Sequence, residues 1–255
     1  MAVELKSPQE IEVMREAGRI VAEVLIILKE AVRPGVAERE LDEIVRREFK
    51  RRGAIPTFLN YSPRRGLTPY CATVCVSVND EIVHGIPGDY AFREGDVVSI
   101  DLGATYKGFV GDSAITIGVG NVSEEAERLI RATEESLHRG IEAARVGARL
   151  GDVSAAIQEV GERYGYGIVR EYGGHGVGRE MHEDPFVPNY GVPDRGMELR
   201  EGMVLALEPM LNAGDWRTKV DPDQWTVRTA DGSLSAHFEH TVAVTRDGPV
   251  VLTSP

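Results

Sequence analysis

One stretch decides the fold of this chain: Gly95-Asp-Val-Val-Ser-Ile-Asp101-Leu-Gly-Ala-Thr-Tyr-Lys-Gly-Phe-Val-Gly-Asp112. Its apolar run from Val97 to Ile100 predicts a buried strand, and Phe109 begins a second strand. The pair Lys107-Gly108 between them predicts a tight turn. The stretch therefore predicts a β-hairpin near the middle of the chain.

The two aspartates of this hairpin indicate a cation. Asp101 and Asp112 are 112 − 101 = 11 positions apart and about equally far from the predicted turn. A hairpin of this kind brings their side chains nearly opposite each other. Two carboxylates that close in an apolar setting repel each other strongly unless a positive charge lies between them. The simplest such charge is a metal ion.

A second stretch repeats the first. Arg93-Glu-Gly-Asp-Val-Val-Ser-Ile-Asp101 aligns with Arg200-Glu-Gly-Met-Val-Leu-Ala-Leu-Glu208 at an offset of 208 − 101 = 107 positions. Gly35 and Gly147, which each precede a helical pattern, give a similar offset of 147 − 35 = 112. Two similar offsets predict two related halves whose carboxylates converge on a central site. Chance similarity of a short turn-and-strand phrase is the alternative.

Composition limits the class of protein. The chain has 255 residues, 42% of them hydrophobic and 27% charged, which is typical of a chain with a sizeable core. No low-complexity linker separates the two halves, so we predict one domain over residues 1–255. The net charge of −12 argues against specific nucleic-acid binding, which needs a basic surface.

The sequence predicts a cytoplasmic protein that does not enter a membrane. The apolar run from Ile20 to Leu28 is interrupted by Glu23 and is too short to span a bilayer. No signal peptide is visible after Met1. Cys71 and Cys75 do not form a disulfide framework, which agrees with a reducing compartment.

Helices and strands are predicted from periodicity and capping signals. Ser7 and Glu10 form a capping box that opens a first helix, and further helices are expected over 38–51, 123–145 and 151–164. Strands are expected at 74–78, 203–208, 225–229 and 237–245, and a loop is expected over 183–199 because of its prolines and glycine. The second helix ends in a basic cluster, Arg46, Arg47, Lys50, Arg51 and Arg52. Cations near a helix C-terminus are the simple interpretation, and contact with a polyanion is the alternative.

Three more side chains are candidate metal ligands. His175 lies in Gly173-Gly-His-Gly-Val-Gly178, Glu208 ends an apolar strand, and Glu239 lies in an alternating strand. Each taken singly is more often a turn or hydrogen-bonding residue. Together with Asp101 and Asp112 they make four carboxylates and one imidazole, which balance two divalent ions, −4 against +4. This donor set suits manganese, iron, cobalt or zinc.

At this point a family resemblance is evident. The chain resembles the type I methionine aminopeptidases along nearly its whole length, beginning at Pro8-Gln-Glu-Ile-Glu-Val-Met-Arg-Glu-Ala-Gly18. The similarity lies in the order and spacing of these motifs: Val83-His-Gly-Ile-Pro87, Ser99-Ile-Asp101, Gly111-Asp-Ser113, Gly173-Gly-His-Gly-Val-Gly178, Met181-His-Glu-Asp-Pro185, Glu208-Pro-Met210 and Phe238-Glu-His-Thr241. The resemblance implies the pita-bread fold, an α/β (α+β) arrangement of two pseudo-symmetric halves around a central antiparallel sheet flanked by helices. The chain looks like the short bacterial form, with residues 1–255 as one catalytic domain.

The resemblance also implies roles for the site residues. The five candidate ligands would hold two divalent ions, with Asp112 and Glu239 bridging them and a bridging hydroxide attacking the scissile carbonyl. Glu208 would in addition shuttle the proton of that hydroxide. His182 would hydrogen-bond the carbonyl oxygen as it becomes an oxyanion. His84 would contact the scissile amide and help the leaving amine.

Further positions match less specific features of the family. Tyr70, Cys75 and Trp225 match the methionine pocket, for which simple core packing is the alternative. Asn79 and Ser235 match a structural monovalent-cation site. The loop over 60–69 is longer than its counterpart in familiar members, so the outer wall of the pocket is not defined by the resemblance.

The implied function is removal of the initiator methionine from nascent polypeptides whose second residue is small. The expected partners are nascent-chain N-termini and the ribosome surface, and we expect a monomer. A proline-specific pita-bread peptidase is one alternative, although such enzymes usually carry a large N-terminal domain. A catalytically dead relative that binds polypeptide or RNA is another. Such relatives lose metal ligands, whereas all five are present here.

Overall fold

The structure is a computed structural model that describes residues 3–63 and 66–255. The helices in those ranges are α1 (Pro8–Ala31), α2 (Glu38–Arg52), α3 (Glu124–Ala143) and α4 (Leu150–Tyr164), close to the predicted bounds. The predicted capping box opens α1, because the Ser7 hydroxyl accepts from the backbone N–H of Glu10 and the Glu10 carboxylate accepts from that of Ser7. No helix in the described part of the chain is both long and apolar enough to cross a membrane.

The strands of the described residues form two series along the chain, one between α2 and α3 and one after α4. They are β1 (Ile55–Pro56), β2 (Cys75–Val78), β3 (Glu81–Val83), β4 (Val97–Tyr106), β5 (Phe109–Gly118), β6 (Gly167–Ile168), β7 (Gly173–Gly176), β8 (Glu183–Pro188), β9 (Val204–Leu207), β10 (Met210–Asn212), β11 (Thr218–Val220), β12 (Val227–Thr229), β13 (Ser235–His237), β14 (Glu239–Thr245) and β15 (Gly248–Val251).

A central antiparallel sheet joins the two series. Its strand order is β1-β4-β5-β14-β9-β7-β8, with β2 paired to β4 and β15 paired to β14. The β5–β14 pair is the junction at which the first half of the chain meets the second. Two smaller sheets, β13-β10-β6 and β11-β12-β3, lie beside it. This mixed α/β arrangement is the pita-bread architecture that the family resemblance implies.

The predicted hairpin is formed by β4 and β5 around Lys107-Gly108. Its register differs by two residues from the prediction that the aspartates lie nearly opposite each other. Asp101 pairs with Ala114, and Asp112 pairs with Gly103. The carboxylates are therefore diagonal neighbours on one face of the sheet, still within reach of a common ion. The turn lies one position away from the point that would bring them face to face.

The two halves repeat each other in detail. Helices α2 and α4 both have 15 residues and both end at a glycine in the left-handed region, Gly53 (φ 68°) and Gly165 (φ 79°). Gly35 and Gly147 precede them with φ values of 90° and 86°. Isolated bridges at their N-termini also correspond, Ala37 to Ala91 and Arg149 to Glu198. The offsets of about 110 positions read from the sequence are thus offsets between equivalent structural positions.

Two apolar clusters lie on the outer face of the sheet, one in each half. In the first, Leu28 of α1 and Leu41 of α2 pack against Val98 and Ile100 of β4. In the second, Leu137 of α3, Ile157 of α4 and Leu205 of β9 lie in a common cluster. Because helices cover this outer face, the polar side chains of the sheet are left on the inner face.

The prediction of a loop over 183–199 is wrong for its first part. Residues Glu183–Pro188 form β8, which pairs with β7 at the edge of the central sheet. Proline lacks a backbone donor but is tolerated in an edge strand, which needs donors on one side only. The strand predicted over 237–245 is interrupted at Phe238, where β13 ends and β14 begins.

Candidate active site

The predicted ligands lie in two neighbouring rows across the inner face of the central sheet. In the first row, Asp101 of β4 pairs with Ala114 of β5, which pairs in turn with Glu239 of β14. Cys75 of β2 lies on the other side of Asp101 in the same row. Residues that pair directly across neighbouring strands share a face, so the two carboxylates lie on the same side of the sheet.

The second row runs two residues away along the strands. Asp112 of β5 adjoins Thr241 of β14, which pairs with Ala206 of β9, and Ala206 pairs with His175 of β7. Glu208 follows Ala206 by two positions at the end of β9. Strand alternation directs these side chains to the same face as the first row. Both halves of the chain therefore contribute donors to one site.

The distances between the donors are those of a metal site. One ligand atom from each of Asp112, His175 and Glu239 lies within 4.8 Å of the other two. His175 Nε2 is 3.9 Å from Asp112 Oδ2 and 3.7 Å from Glu208 Oε1. Glu239 comes from the strand next to Asp112, so these donors surround a common space.

His175 is held in the orientation of a ligand. Its Nδ1 is 2.9 Å from the carbonyl oxygen of Gly176 and donates to it, so Nε2 is the nitrogen left with a free lone pair. The flanking glycines allow the close packing that places it there. A Cβ at Gly174 would meet the carbonyl oxygen of Ala206 at 2.2 Å, and one at Gly176 would meet that of Asp184 at 2.3 Å.

The pKa values of the site residues indicate a site for cations. Burial raises the pKa of Asp101 to about 7. Burial and then repulsion from Asp101 hold the pKa values of Asp112 and Glu208 well above their usual range, and burial followed by Asp112 does the same for Glu239. Burial lowers the pKa of His175 to about 3, which leaves the imidazole neutral and able to ligate. A positive ion at the centre would reverse the penalty on the carboxylates.

Several oxygen atoms support this fit directly. Asp101 Oδ1, Asp112 Oδ1 and Glu239 Oε1 are buried and have no hydrogen-bond partner among the residues described. Buried acceptors are rarely left unpaired in native proteins. Orphan oxygens from three predicted ligands, beside a neutral imidazole, form a donor set that fits divalent ions such as manganese, iron, cobalt or zinc.

A cavity of about 460 Å³ opens over the candidate metal site. His84 and His182 line it, as do the five predicted ligands. His84 has a φ of 62°, a left-handed conformation that non-glycine residues adopt mainly at turns and functional sites. Burial lowers its pKa to about 4, so it is a neutral imidazole at physiological pH. Both predicted catalytic histidines thus lie beside the candidate metal site.

One end of the cavity is an aromatic pocket. Tyr70, Cys75 and Trp225, the predicted pocket residues, are at most 8% exposed and form one cluster with Phe58. The Tyr70 hydroxyl donates to the carbonyl oxygens of Val74 and Gly85. The Trp225 indole donates to the carbonyl oxygen of Thr68. These bonds fix the walls of the pocket.

Sequence reasoning missed other residues of the cavity. Phe58, Tyr61, Tyr172, Met181 and Phe186 all line it. They come from loops and from the edge strand, where no periodic pattern marks which side chains face inward. His237 has no role among the predicted site residues, although it lies two residues before Glu239 in the sequence. Its Nε2 is 3.6 Å from Glu208 Oε2.

The predicted monovalent-cation residues are brought together by the backbone. The Ser235 N–H donates to the carbonyl oxygen of Asn79. Their side chains are engaged elsewhere: the Asn79 amide bonds to Asp96 and to the Val97 N–H, and the Ser235 hydroxyl bonds to Asn212. A cation there stays a prediction.

The basic end of α2 is only partly neutralised, because three of its arginines share the single carboxylate of Glu48. Arg46 pairs with Asp42, Arg47 pairs with Glu48, and Arg51 and Arg52 also pair with Glu48. Such pairing weakens its attraction for a polyanion. Met1 and part of the predicted 60–69 loop, Arg64 and Arg65, lie outside the described residues.

Comparison with known proteins decides the family. The model of metallopeptidase family M24 matches residues 12–246. The chain belongs to metallopeptidase family M24.

Curated relatives of this M24 chain agree along its full length. It is 53% identical to methionine aminopeptidase of Aquifex aeolicus over 257 residues, which cover 99% of each chain. It is 50% identical to methionine aminopeptidase 1 of Bacillus subtilis over 248 residues, 97% of this chain and 98% of the relative. The resemblance to the methionine aminopeptidases is therefore confirmed, and this M24 chain is an enzyme of that aminopeptidase class.

Solved structures separate two groups within the M24 fold. Methionine aminopeptidase of Thermotoga maritima superimposes with a TM-score of 0.96 at 45% identity, and the match covers 100% of both chains. Prolidase of Pyrococcus furiosus superimposes with a TM-score of 0.76 at 27% identity, but the match covers 98% of this chain and only 65% of the prolidase. The predicted pita-bread fold is confirmed.

Proposed function

We propose that this M24 enzyme removes the initiator methionine from the N-termini of nascent polypeptides when the second residue is small. The proposal rests on one observation: the aromatic pocket adjoins the buried carboxylates that lack hydrogen-bond partners. Cys75 and Asp101 are paired residues on neighbouring strands, so the pocket wall and the metal site share one row of the sheet. A side chain seated among Tyr70, Cys75 and Trp225 holds its own backbone beside the metal ligands.

The metal centre in this proposal is binuclear. Asp101, Asp112, His175, Glu208 and Glu239 would hold two divalent ions. When bound, such ions would supply polarisation of a carbonyl oxygen and a lowered pKa of water, which gives a nucleophile at neutral pH. The role of the protein is to hold the donors in place and to exclude competing water.

Glu208 is suited to accept and return a proton. It is more exposed than Asp112 or Glu239, with 15% of its side chain accessible, and it lines the cavity. A carboxylate that faces the cavity can take a proton from the attacking water and pass it to the leaving amine.

The histidines act on the peptide itself. His182 donates to the oxygen of the scissile carbonyl, a bond that strengthens as negative charge develops there. The ring of His84 packs edge-on against Trp225 with centroids 6.2 Å apart, and His84 lines the same cavity as the candidate metal ligands. From there it contacts the scissile amide and assists departure of the amine.

Specificity follows from the shape of the cavity. A long, flexible thioether packs well against the edges and faces of aromatic rings, which favours methionine in the pocket. The second residue then lies beside His84 and His182, where a bulky side chain would displace the scissile amide. A displacement of about 1 Å can cost on the order of 100-fold in rate. We therefore assign a small second residue.

The cellular setting is part of the proposal. Nascent polypeptides are cytoplasmic, so we place the enzyme in the cytoplasm and propose that it works as a monomer near the ribosome surface. Neither a membrane nor a nucleic acid is needed for the reaction. The net charge of −12 fits the absence of nucleic-acid binding.

A panel of Met-X-Ser tripeptides tests the function. With X as Ala, Gly, Leu or Lys, we expect fast release of methionine for Ala and Gly and strong rejection of Leu and Lys. Discrimination between Ala and Gly should be mild, because one methylene is worth about 1–3 kcal/mol. Equal rates for Ala and Lys would contradict the steric argument, and a preference for X-Pro peptides would favour the proline-specific alternative.

A further inference from the structure

We propose that Tyr61 is a positioning residue for His182: its hydroxyl donates to Nδ1 of the imidazole and holds the ring as the Nε2–H tautomer. The inference rests on the proposed function, in which His182 must donate a hydrogen bond to the substrate carbonyl. A neutral imidazole carries one proton, and only the tautomer with that proton on Nε2 can donate from the nitrogen that Tyr61 leaves free.

The geometry restrains both the plane and the rotation of the His182 ring. The Tyr61 oxygen is 2.7 Å from His182 Nδ1. The two rings are stacked, with centroids 5.3 Å apart and planes at 29°. The His182 ring also contacts the ring of His175, with the two centroids 4.2 Å apart. Stacking sets the plane of the imidazole, and the hydrogen bond sets its rotation within that plane.

The proposed role of His182 decides the direction of the hydrogen bond, and the phenol of Tyr61 is able to donate. Burial, and then the nearby carboxylates of Glu180 and Asp112, raise the pKa of Tyr61, so its O–H is retained at physiological pH. If this O–H donates to Nδ1, the imidazole proton must lie on Nε2. The reverse arrangement, with Nδ1–H donating to the phenol oxygen, would leave Nε2 as a lone pair that repels a carbonyl oxygen.

Backbone hydrogen bonds fix the position of Tyr61 in its loop. The N–H of Tyr61 donates to the carbonyl oxygen of Phe58, and its own carbonyl accepts from the N–H of Tyr70. The N–H of Asn60 in turn donates to the carbonyl oxygen of Tyr70. Tyr70 is 2% exposed and belongs to the pocket wall. The base of the long 60–69 loop is thus tied to the aromatic pocket, so the wall that binds methionine also orients the group that acts on its carbonyl.

Tyr61→Phe is the decisive variant, because it removes the hydroxyl and keeps the stacked ring. We expect kcat for Met-Ala-Ser to fall by roughly tenfold, the loss typical of one hydrogen bond, while KM and the metal content per chain stay near their wild-type values. In the His182→Ala background the same substitution should have no further effect on kcat. Tyr166→Phe is the matched control: Tyr166 belongs to a separate cluster with Leu129 and Leu211 and does not line the cavity.

A second measurement reads the tautomer without using activity. Nitrogen-15 NMR of histidine-labelled enzyme, with His182 assigned by comparison with His182→Ala, should show an Nε2–H imidazole in the wild type and a mixture of tautomers in Tyr61→Phe. An Nδ1–H imidazole in the wild type would overturn the proposal. A Tyr61→Phe enzyme with unchanged kcat and a raised KM would also overturn it, by making Tyr61 only a pocket wall. Absence of methionine release by the wild type would refute the proposed function, and the NMR result would still judge the Tyr61–His182 pair separately.

Discussion

Thr241 and Asp112 hold each other across the junction of the two halves by two hydrogen bonds. The Asp112 backbone N–H donates to Thr241 Oγ1 at 3.0 Å, and the Thr241 hydroxyl donates to the Asp112 carbonyl oxygen at 2.8 Å. Both residues are at most 1% exposed. One threonine side chain therefore satisfies the backbone of a predicted bridging ligand, and it fixes β5 against β14 where the metal site needs them.

Replacing Thr241 by valine tests this relationship, because the shape is kept and the hydroxyl is lost. Two buried backbone groups of Asp112 would lose their partner, so we expect the free energy of unfolding to fall by about 1–3 kcal/mol and metal content to fall with it. Thermal unfolding and metal analysis measure the two effects. The matched control is Thr133→Val in α3, whose hydroxyl donates to the Leu129 carbonyl within the helix, away from the junction. Normal metal content in Thr241→Val would contradict the positioning role.

Asp112→Asn tests the charge balance of the metal site. The substitution keeps the size of the side chain and removes one of the four negative charges, so we expect both the metal content per chain and the turnover to fall sharply. Metal analysis alongside kcat for Met-Ala-Ser makes the check. Asp89→Asn is a useful comparison, because Asp89 pairs with Arg39 at the surface and has no place in the cavity. Full metal content and full turnover in Asp112→Asn would count against a bridging role.

His182→Ala separates catalysis from binding. If the imidazole stabilises the developing oxyanion, its loss should cost about 3–4 kcal/mol in the barrier, seen as a drop of roughly 100- to 1,000-fold in kcat. KM should change little, because the bond strengthens only during the reaction. The opposite pattern, unchanged kcat with a much higher KM, would make His182 a binding residue.

The buried carboxyl of Glu38 should make the free energy of unfolding depend on pH, independently of the metal site. This residue at the start of α2 is 7% exposed, and burial raises its pKa to about 7 from 4.5. The folded state binds the proton of the Glu38 carboxyl more tightly than the unfolded state does. Protonation of Glu38 therefore contributes stability that is complete below pH 4.5 and is lost as the pH rises through 7. Glu38→Gln mimics the protonated form and can still accept from the Gly88 N–H. We expect the variant to be more stable than the wild type at pH 8, by on the order of 1–3 kcal/mol, and similar to it at pH 4.5. Denaturant unfolding at the two pH values measures this, and an equal difference at both would contradict the assignment.

The hairpin and the repeat could be predicted because their signals are local. Apolar residues on either side of Lys107-Gly108 specify a strand pair, and side-chain alternation then puts Asp101 and Asp112 on one face. The exact register of β4 against β5 could not be predicted from the sequence, since it depends on which residues of the turn stay unpaired. The repeat was visible because both halves use a glycine with positive φ before the equivalent strand, Gly95 at 93° and Gly202 at 89°.

Features of the fold and the site that depend on long-range contacts could not be predicted from local sequence patterns. The segment Glu183–Pro188 carries two prolines and becomes a strand only because the edge of the sheet accepts it. Tyr61 belongs to an irregular loop, and its contact with His182 joins residues 121 positions apart. His84, His182 and the pocket residues were located by resemblance to a family, and periodicity alone would have left them among ordinary turn and core residues.

Chelation and readdition of metal test the central claim most directly. The enzyme is stripped of metal, the metal content per chain is measured, and release of methionine from Met-Ala-Ser is followed before and after addition of manganese, iron, cobalt or zinc. We predict no significant release by the stripped enzyme and recovery with at least one of these ions, with up to two ions bound per chain. Near-normal turnover by a protein shown to be free of metal would contradict the account.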